Sequence, residues 1–179
     1  MPNIYSIFAI PLLWCSIALA EVMVHEKQAG VTHVLPFDFK DDQGRVASLD
    51  DFFTPHVHLV QFVYFNCGSI CSPFLNETLH SLRVLHPDFN LGKDFDLWTF
   101  SISPGESSSL ASKKKVNYLR ELSKHIQVEN PQSWHFMTGG ASSIDSLTRR
   151  VGFHYEAIDS LDYNHKAVIL VLDKDQNLV

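Results

Sequence analysis

Hydrophobic and polar residues follow two different periods along this chain, one typical of strands and the other of helices. Segment 58–65 is a nearly continuous run of apolar residues, rich in β-branched and aromatic side chains, which predicts a buried central strand. Segment 95–102 is predicted to be the next strand. Between them, apolar residues recur at helical spacing over 73–86. Pro73 suits the first helical position and Ser72 is the predicted N-cap, so this segment is expected to form a helix.

The rest of the chain continues the alternation of strands and helices. The further predicted elements are an opening hairpin or extended pair (34–39 and 46–53), two helices (110–126 and 144–151) and two strands (134–137 and 167–172). This order predicts an α/β protein with a thioredoxin-like fold, in which helices flank a mixed central sheet. Because there is no internal repeat and no linker-like stretch, residues 21–179 are expected to form one domain.

Residues 1–20 differ from the rest, because they contain no charged side chain and are apolar over most of 4–20. They end in Ala18-Leu19-Ala20, and small residues at these positions suit signal peptidase. We therefore expect a cleaved signal peptide, with Glu21 first in the mature protein. The alternative is a short membrane anchor over 4–20. Either reading places the domain outside the cytoplasm, in a periplasm or on the extracytoplasmic face of the membrane.

Net charge and cysteine content exclude two classes of protein, one that binds nucleic acid and one stabilised by a disulfide scaffold. The 179 residues carry a formal net charge of −6, which argues against a protein that binds nucleic acid. Three cysteines are too few for a disulfide scaffold, and Cys15 belongs to the predicted leader. The mature protein therefore has two cysteines, Cys67 and Cys71.

These two cysteines lie where the first buried strand passes into the following helix, in the segment Cys67-Gly68-Ser69-Ile70-Cys71. A helix N-terminus favours thiolate over thiol, and thiolate is both the nucleophile and the metal ligand. The pair can form a disulfide, or it can bind a soft ion such as copper or zinc with the help of a third ligand. The structural alternative is two buried cysteines without a chemical role.

Several segments, taken in order, resemble the SCO/SenC family of copper-delivery proteins. They are 62–71 (FVYFNCGSIC) with Leu75 and Asn76, 95–105 (FDLWTFSISPG), Lys113 and Lys114 with Tyr118 and Leu119, 134–139 (WHFMTG), 151–155 (VGFHY) and 162–165 (DYNH). The resemblance covers about residues 31–179. The ordered set is specific, whereas two cysteines at this spacing alone would be a weak signal.

The resemblance implies a thioredoxin fold and a copper site made of Cys67, Cys71 and His165. It also implies a role in building the dinuclear copper centre of cytochrome c oxidase. The expected partners are therefore a copper ion and the copper-site subunit of a respiratory oxidase. On this hypothesis the protein is a metallochaperone and not an enzyme.

Two other hypotheses remain. A thiol-disulfide oxidoreductase would reduce the cysteines of a copper protein before the metal is loaded. It needs Cys67 and Cys71, whereas only the metallochaperone needs His165 as well. A peroxidase-like member of the thioredoxin superfamily is the third hypothesis, but the segment around Cys67 lacks the Pro/Thr-rich context usual for a peroxidatic cysteine.

The chain departs from the family pattern at three positions near the expected ligands. Gly68 stands where many members have proline, and Ser103 stands where the turn after the second strand usually has an acidic residue. Asn164 directly precedes His165 where aspartate is common, with Asp162 three positions before the histidine. Family members also usually continue through a further strand and a final helix after 167–172, so the domain is expected either to lack that edge or to be truncated.

Other histidines and a run of lysines are not expected to take part in the chemistry. His56 and His58 are expected at the surface near the start of a strand, and His135 belongs to a segment that is structural in the family. Lys113 to Lys115 are expected on the solvated face of a helix, with a docking patch for an acidic partner as the less favoured alternative.

Overall fold

Strands and helices alternate along the part of the chain that the structure describes, a computed structural model covering residues 38–66, 71–85, 89–126, 128–159 and 162–179. Its strands are β1 (Asp38–Lys40), β2 (Val46–Ser48), β3 (Val57–Val63), β4 (Phe95–Ser101), β5 (Trp134–Gly139), β6 (Tyr155–Ala157), β7 (Tyr163–His165) and β8 (Ile169–Leu172). Its helices are α1 (Cys71–Val84), α2 (Ser108–Leu122) and α3 (Ala141–Arg150), and short 3₁₀ turns cover Leu49–Phe52 and Pro131–Ser133.

Six strands form one mixed sheet in the order β2-β1-β5-β4-β3-β8. Strands β3, β4 and β5 are parallel, as the helical connections between them require, whereas β1 pairs antiparallel with β5 and with β2, and β8 pairs antiparallel with β3. In the β3–β4 register Val57 lies opposite Phe95 and Val63 lies opposite Ser101. Strands β6 and β7 form a separate two-stranded hairpin. The structure confirms the predicted α/β class with a mixed central sheet flanked by helices.

The apolar runs that predicted the central strands form the core. Every residue of β4 is buried, and so are the last four residues of β3. The largest fully buried side chains are Trp98, Trp134, Phe39, Phe62, Phe65, Phe100, Phe136, Leu75, Leu91, Leu97 and Ile102. Since this core fixes both central strands, it also fixes the position at which β3 ends and the cysteine segment begins.

A buried polar network crosses the centre of the sheet. Thr99 Oγ1 accepts hydrogen bonds from Gln61 Nε2 at 2.8 Å and from Trp134 Nε1 at 3.0 Å. The Thr78 hydroxyl on α1 donates to Gln61 Oε1 at 2.9 Å. These bonds satisfy the buried polar groups and join α1 to three strands.

Helix α2 corrects one of the predictions. Ser107 is its N-cap and accepts a hydrogen bond from the Leu110 backbone N–H. Lys113 is exposed as expected, but Lys115 is buried, so the prediction of a solvated Lys115 is wrong. Its ammonium group donates to Asp42 Oδ1 at 2.9 Å and to Gln132 Oε1 at 3.2 Å, and these partners make its burial possible.

Other boundaries differ modestly from the predictions. Helix α1 begins at Cys71, so Ser72 lies within its first turn and is not the N-cap. The β6–β7 hairpin was not predicted as a pair of strands. After β8 the chain turns, and Leu178 pairs with Leu172.

The predicted leader, residues 1–20, and the predicted strand residues 34–37 lie outside the described residues. Among the helices that the structure describes, none is long and apolar enough to cross a membrane.

Candidate metal centre

The segment with the two cysteines lies between the end of β3 and the start of α1. Strand β3 ends at Val63, and Tyr64, Phe65 and Asn66 then lead to Cys67, the first of four residues outside the described part of the chain. Cys71 is the first residue of α1, although its side chain is not among those described. The described backbone thus has the predicted strand before the first cysteine and the predicted helix after it, with the helix N-terminus at the second cysteine.

His165 is the last residue of β7 in the β6–β7 hairpin. Its ring centroid lies 6.1 Å from that of Tyr64 and 6.0 Å from that of Phe153. Tyr64 precedes Cys67 by three residues, so the fold brings His165 next to the approach to the cysteine segment. The two positions are about a hundred residues apart in sequence, and only the hairpin's position against β3 brings them together.

The contacts of the His165 ring favour one tautomer. Nδ1 lies 3.0 Å from the Lys166 carbonyl oxygen, a contact that requires Nδ1 to carry the proton. In that tautomer Nε2 is the basic nitrogen. Histidines that bind metals commonly donate the proton of their other nitrogen to a carbonyl or carboxylate in this way, which fixes the ring orientation.

Two tyrosine–aspartate hydrogen bonds fasten this hairpin. The Tyr64 hydroxyl donates to Asp162 Oδ1, and the same oxygen accepts from the Tyr163 backbone N–H at 3.0 Å. On the other side, the Tyr155 hydroxyl donates to Asp145 Oδ1 on α3 at 2.8 Å. Burial, followed by the Asp145 hydrogen bond, raises the pKa of Tyr155, so this hydroxyl remains a donor at neutral pH.

Aromatic rings fill the space between the hairpin and the sheet. The ring of Tyr64 lies 5.2 Å from that of Tyr163, and Phe153 stacks on Phe62 of β3 at 4.5 Å. Tyr64 and Phe153 are both buried. His165 therefore has an apolar environment on its sheet side, which limits access of water to one side of the imidazole.

A carboxylate that the sequence did not reveal lies at the approach to Cys67. Glu106, in the turn after β4, accepts hydrogen bonds from the backbone N–H groups of Phe65 at 2.7 Å and of Asn66 at 2.6 Å. Ser103 stands where the family usually has an acidic residue, and Glu106 follows it three positions later. Two of its partners are backbone groups, which no residue pattern could have indicated.

At the other end of the sheet, His56, His58 and Asp96 form a separate cluster. His58 is fully buried, so its predicted surface position is wrong. Its Nδ1 and that of His56 both lie 3.7 Å from Asp96 Oδ2, and the Thr54 hydroxyl donates to the same oxygen. The rings of Phe53 and Trp98 cover His58, and this burial lowers its pKa.

His135 is a structural histidine, as expected. Its ring packs edge-on against Trp98 at 5.4 Å and against Phe52 at 5.5 Å. Burial, followed by the positive charge of Lys115, lowers the pKa of His135 to about 4. It is therefore neutral at physiological pH.

Among the residues with described side chains, no group of three or more histidines, cysteines, aspartates or glutamates is arranged to hold a metal ion. Of the predicted ligands Cys67, Cys71 and His165, the side chains of the two cysteines are not among those that the structure describes. The ligand set therefore stays a prediction.

The comparison with protein families gives a clear result, because the SCO1/SenC family model matches residues 25–179. The chain belongs to the SCO1/SenC family. This confirms the family resemblance stated from the sequence. A search of curated protein sequences finds no significant match.

Solved structures of Sco proteins have the same fold. Copper-bound ScoI from Arabidopsis thaliana has a TM-score of 0.60 at 17% identity, with 81% of this chain and 83% of that chain covered. Copper-bound ScoI from Bradyrhizobium japonicum has a TM-score of 0.57 at 22% identity, with 81% and 85% covered. The structure of BsSco has a TM-score of 0.58 at 19% identity, with 82% and 80% covered. That last study describes a disulfide switch in a member of the Sco family of cytochrome c oxidase assembly proteins.

Proposed function

We propose that this SCO1/SenC protein is a metallochaperone that binds one copper ion through Cys67, Cys71 and His165 and delivers it to the dinuclear copper site of cytochrome c oxidase. The observation that supports this most is the 6.1 Å contact between the rings of His165 and Tyr64, because Tyr64 is three residues from Cys67. A two-cysteine site needs a third ligand. His165 is the candidate, because it lies at the C-terminal end of β3, where the cysteine segment begins.

The chemistry of the donor set suits copper. Two thiolates and one imidazole are soft and intermediate ligands, a combination that favours copper or zinc over calcium or magnesium. Cys71 begins α1, and the helix N-terminus stabilises a negative thiolate there. Relatives of the same fold were solved with copper bound, which favours copper over zinc for this chain.

Delivery also requires that the ion can leave. Three protein ligands leave a coordination position for a ligand from the receiving protein, and His165 is half-buried and not enclosed. The proposed receiver is the copper-site subunit of a respiratory oxidase. The apolar leader over 4–20 would bring the domain to the extracytoplasmic side, either by export or as an anchor.

A thiol-disulfide oxidoreductase is the second candidate function, and the disulfide switch described for BsSco favours keeping it. In that reaction one thiolate attacks a disulfide of the target and forms a mixed disulfide. The other cysteine then attacks the mixed bond, which leaves a Cys67–Cys71 disulfide and a target with two thiols. Two electrons pass to the target, and no metal takes part.

Copper titration of the reduced domain separates the two candidates. We expect one copper ion per chain in the wild type, with sulfur-to-metal charge transfer when Cu(II) is bound. Cys67→Ser and Cys71→Ser should lose the site. His165→Ala should weaken copper binding strongly and leave Cys67–Cys71 disulfide formation intact, whereas His125→Ala, at an exposed position on α2's C-terminal side, should change neither.

Two results would contradict the metallochaperone. Wild-type copper binding in both cysteine variants would put the site elsewhere. Equal loss of thiol exchange and of copper binding in His165→Ala would mean that His165 serves the thiols, and would favour the oxidoreductase. Delivery itself is tested by mixing copper-loaded protein with the copper-free copper-site domain of an oxidase and following the metal by its absorption.

A further inference from the structure

The side chain of Glu106 makes three hydrogen bonds at the approach to the cysteine segment. Oε2 accepts from the Phe65 backbone N–H at 2.7 Å and from the Ser101 hydroxyl at 2.6 Å. Oε1 accepts from the Asn66 backbone N–H at 2.6 Å. Glu106 is half-buried, and bonds from N–H and O–H groups to an ionised carboxylate are short and strong.

These bonds begin where the β3–β4 pairing ends. The last described backbone hydrogen bond between these two strands runs from the Ile102 N–H to the Val63 carbonyl oxygen at 2.8 Å. Beyond it the chain after β4 turns toward α2, while the chain after β3 continues to Asn66 and Cys67. Beyond that bond the Glu106 carboxylate accepts hydrogen bonds from the N–H groups of Phe65 and Asn66. The backbone after β3 is therefore hydrogen-bonded up to the residue before Cys67.

We propose that Glu106 is a positioning residue for the copper site, because it holds the backbone of Phe65 and Asn66, the two residues that lead into Cys67. This inference rests on the proposed copper-binding function. The Tyr64–Asp162 hydrogen bond holds the same short segment on the His165 side. The segment 64–66 is therefore fastened from two directions, by a carboxylate after β4 and by a carboxylate in the hairpin.

The geometry requires a carboxylate and not merely a polar side chain. Both oxygens of Glu106 act as acceptors, each toward a different backbone N–H. In Glu106→Gln one of these positions becomes an NH₂ group, which cannot accept a bond and faces another donor. The variant keeps the size of the side chain and loses at least one of the two backbone anchors.

The experiment compares Glu106→Gln with Glu77→Gln in the full mature chain. Glu77 lies exposed on α1, so the control makes the same change of charge on the element that begins at Cys71. Three quantities are measured: exchange of the Phe65 and Asn66 amides, copper affinity by competition with a chelator, and the equilibrium of the Cys67–Cys71 pair with a reference thiol. Ser101→Ala is a second variant that removes one donor and leaves both backbone anchors.

For Glu106→Gln we expect faster exchange of both amides and copper binding weaker by about 10–100-fold, the range found when a partner of a metal ligand is lost. Ser101→Ala should change affinity in the same direction by less, and Glu77→Gln should match the wild type. Near-identical melting of Glu106→Gln and Glu77→Gln would exclude a general loss of folding. If Glu106→Gln does not fold, Ser101→Ala carries the test alone, and wild-type affinity in it would overturn the proposal.

Faster amide exchange with unchanged copper affinity would also overturn it, because Glu106 would then be structural only. If the wild type itself does not bind copper through its cysteines, the proposed function fails. The amide exchange and the thiol equilibrium still test Glu106 in that case, since neither needs the metal. If Glu106→Gln changes both the amide exchange and the thiol equilibrium, Glu106 positions the cysteine pair. If it changes neither, Glu106 has no positioning role.

Discussion

The hydroxyl of Tyr64 donates a hydrogen bond to Asp162, joining the end of β3 to the hairpin that carries His165. Tyr64 is three residues before Cys67, and Asp162 is three residues before His165. This bond thus links the two chain segments that would supply copper ligands. The bond is well shielded, because Tyr64 is buried.

We expect Tyr64→Phe to weaken copper binding by about 10-fold and to increase amide exchange over 155–165, because the hairpin loses its link to β3. The substitution keeps the ring that packs against Tyr163 and His165. Chelator competition and hydrogen exchange measure the two effects. Tyr118→Phe is the matched control, since it removes a tyrosine hydroxyl bonded to Asn76 between α1 and α2. An equal change in both variants would contradict a specific role for Tyr64.

Copper should order the hairpin. The β6–β7 hairpin is a short strand pair fastened by two tyrosine bonds, whereas α1 has fourteen residues in regular helix. We therefore expect residues 159–166 to exchange faster than α1 without copper and to slow markedly when copper binds, because binding free energy closes the site. Equal, low exchange in both states would indicate a rigid preformed site and would argue for a structural metal.

The central strands and the presence of α1 were predictable because their signals are local. Long apolar runs mark β3 and β4, and helical spacing after Pro73 marks α1. The hairpin was not predictable in the same way, because β6 and β7 have three residues each and little apolar character. Their pairing depends on contacts with Tyr64 and Phe153, which come from other parts of the chain.

The buried polar groups were missed for a related reason. His58 is predicted at the surface because it lies near the start of a strand, yet Phe53 and Trp98 cover it. Lys115 lies in a run of three lysines, and the positions of Asp42 and Gln132 explain why this one is buried. Such partners lie far apart in sequence, and periodicity contains no information about them.

The buried network around Thr99 should be important for stability. Thr99→Val keeps the shape of the side chain and leaves the Gln61 and Trp134 donors without their acceptor, so we expect a loss of about 2–4 kcal/mol in the free energy of unfolding. Thr138→Val is the control, since Thr138 is also buried but makes only a long bond of 3.5 Å to the Lys40 carbonyl oxygen. Urea denaturation measures both, and similar losses in the two variants would contradict the network's importance.

Acid should destabilise the protein partly through His135. Burial, followed by the charge of Lys115, lowers its pKa from the usual 6.5 to about 4 in the folded state. Between these values the unfolded chain binds a proton at this position and the folded chain does not, so stability is fully present above pH 6.5 and falls as the pH drops toward 4. The shift corresponds to about 3 kcal/mol.

The test is the free energy of unfolding as a function of pH in His135→Phe, which keeps an aromatic ring against Phe52 and Trp98 and cannot titrate. We expect the slope between pH 6.5 and 4 to become shallower than in the wild type. His125→Phe, at an exposed position, should keep the wild-type slope. His58 contributes a residual slope of the same sign, because its pKa is also lowered by burial. An unchanged slope in His135→Phe would show that the loss of stability in acid comes from other groups.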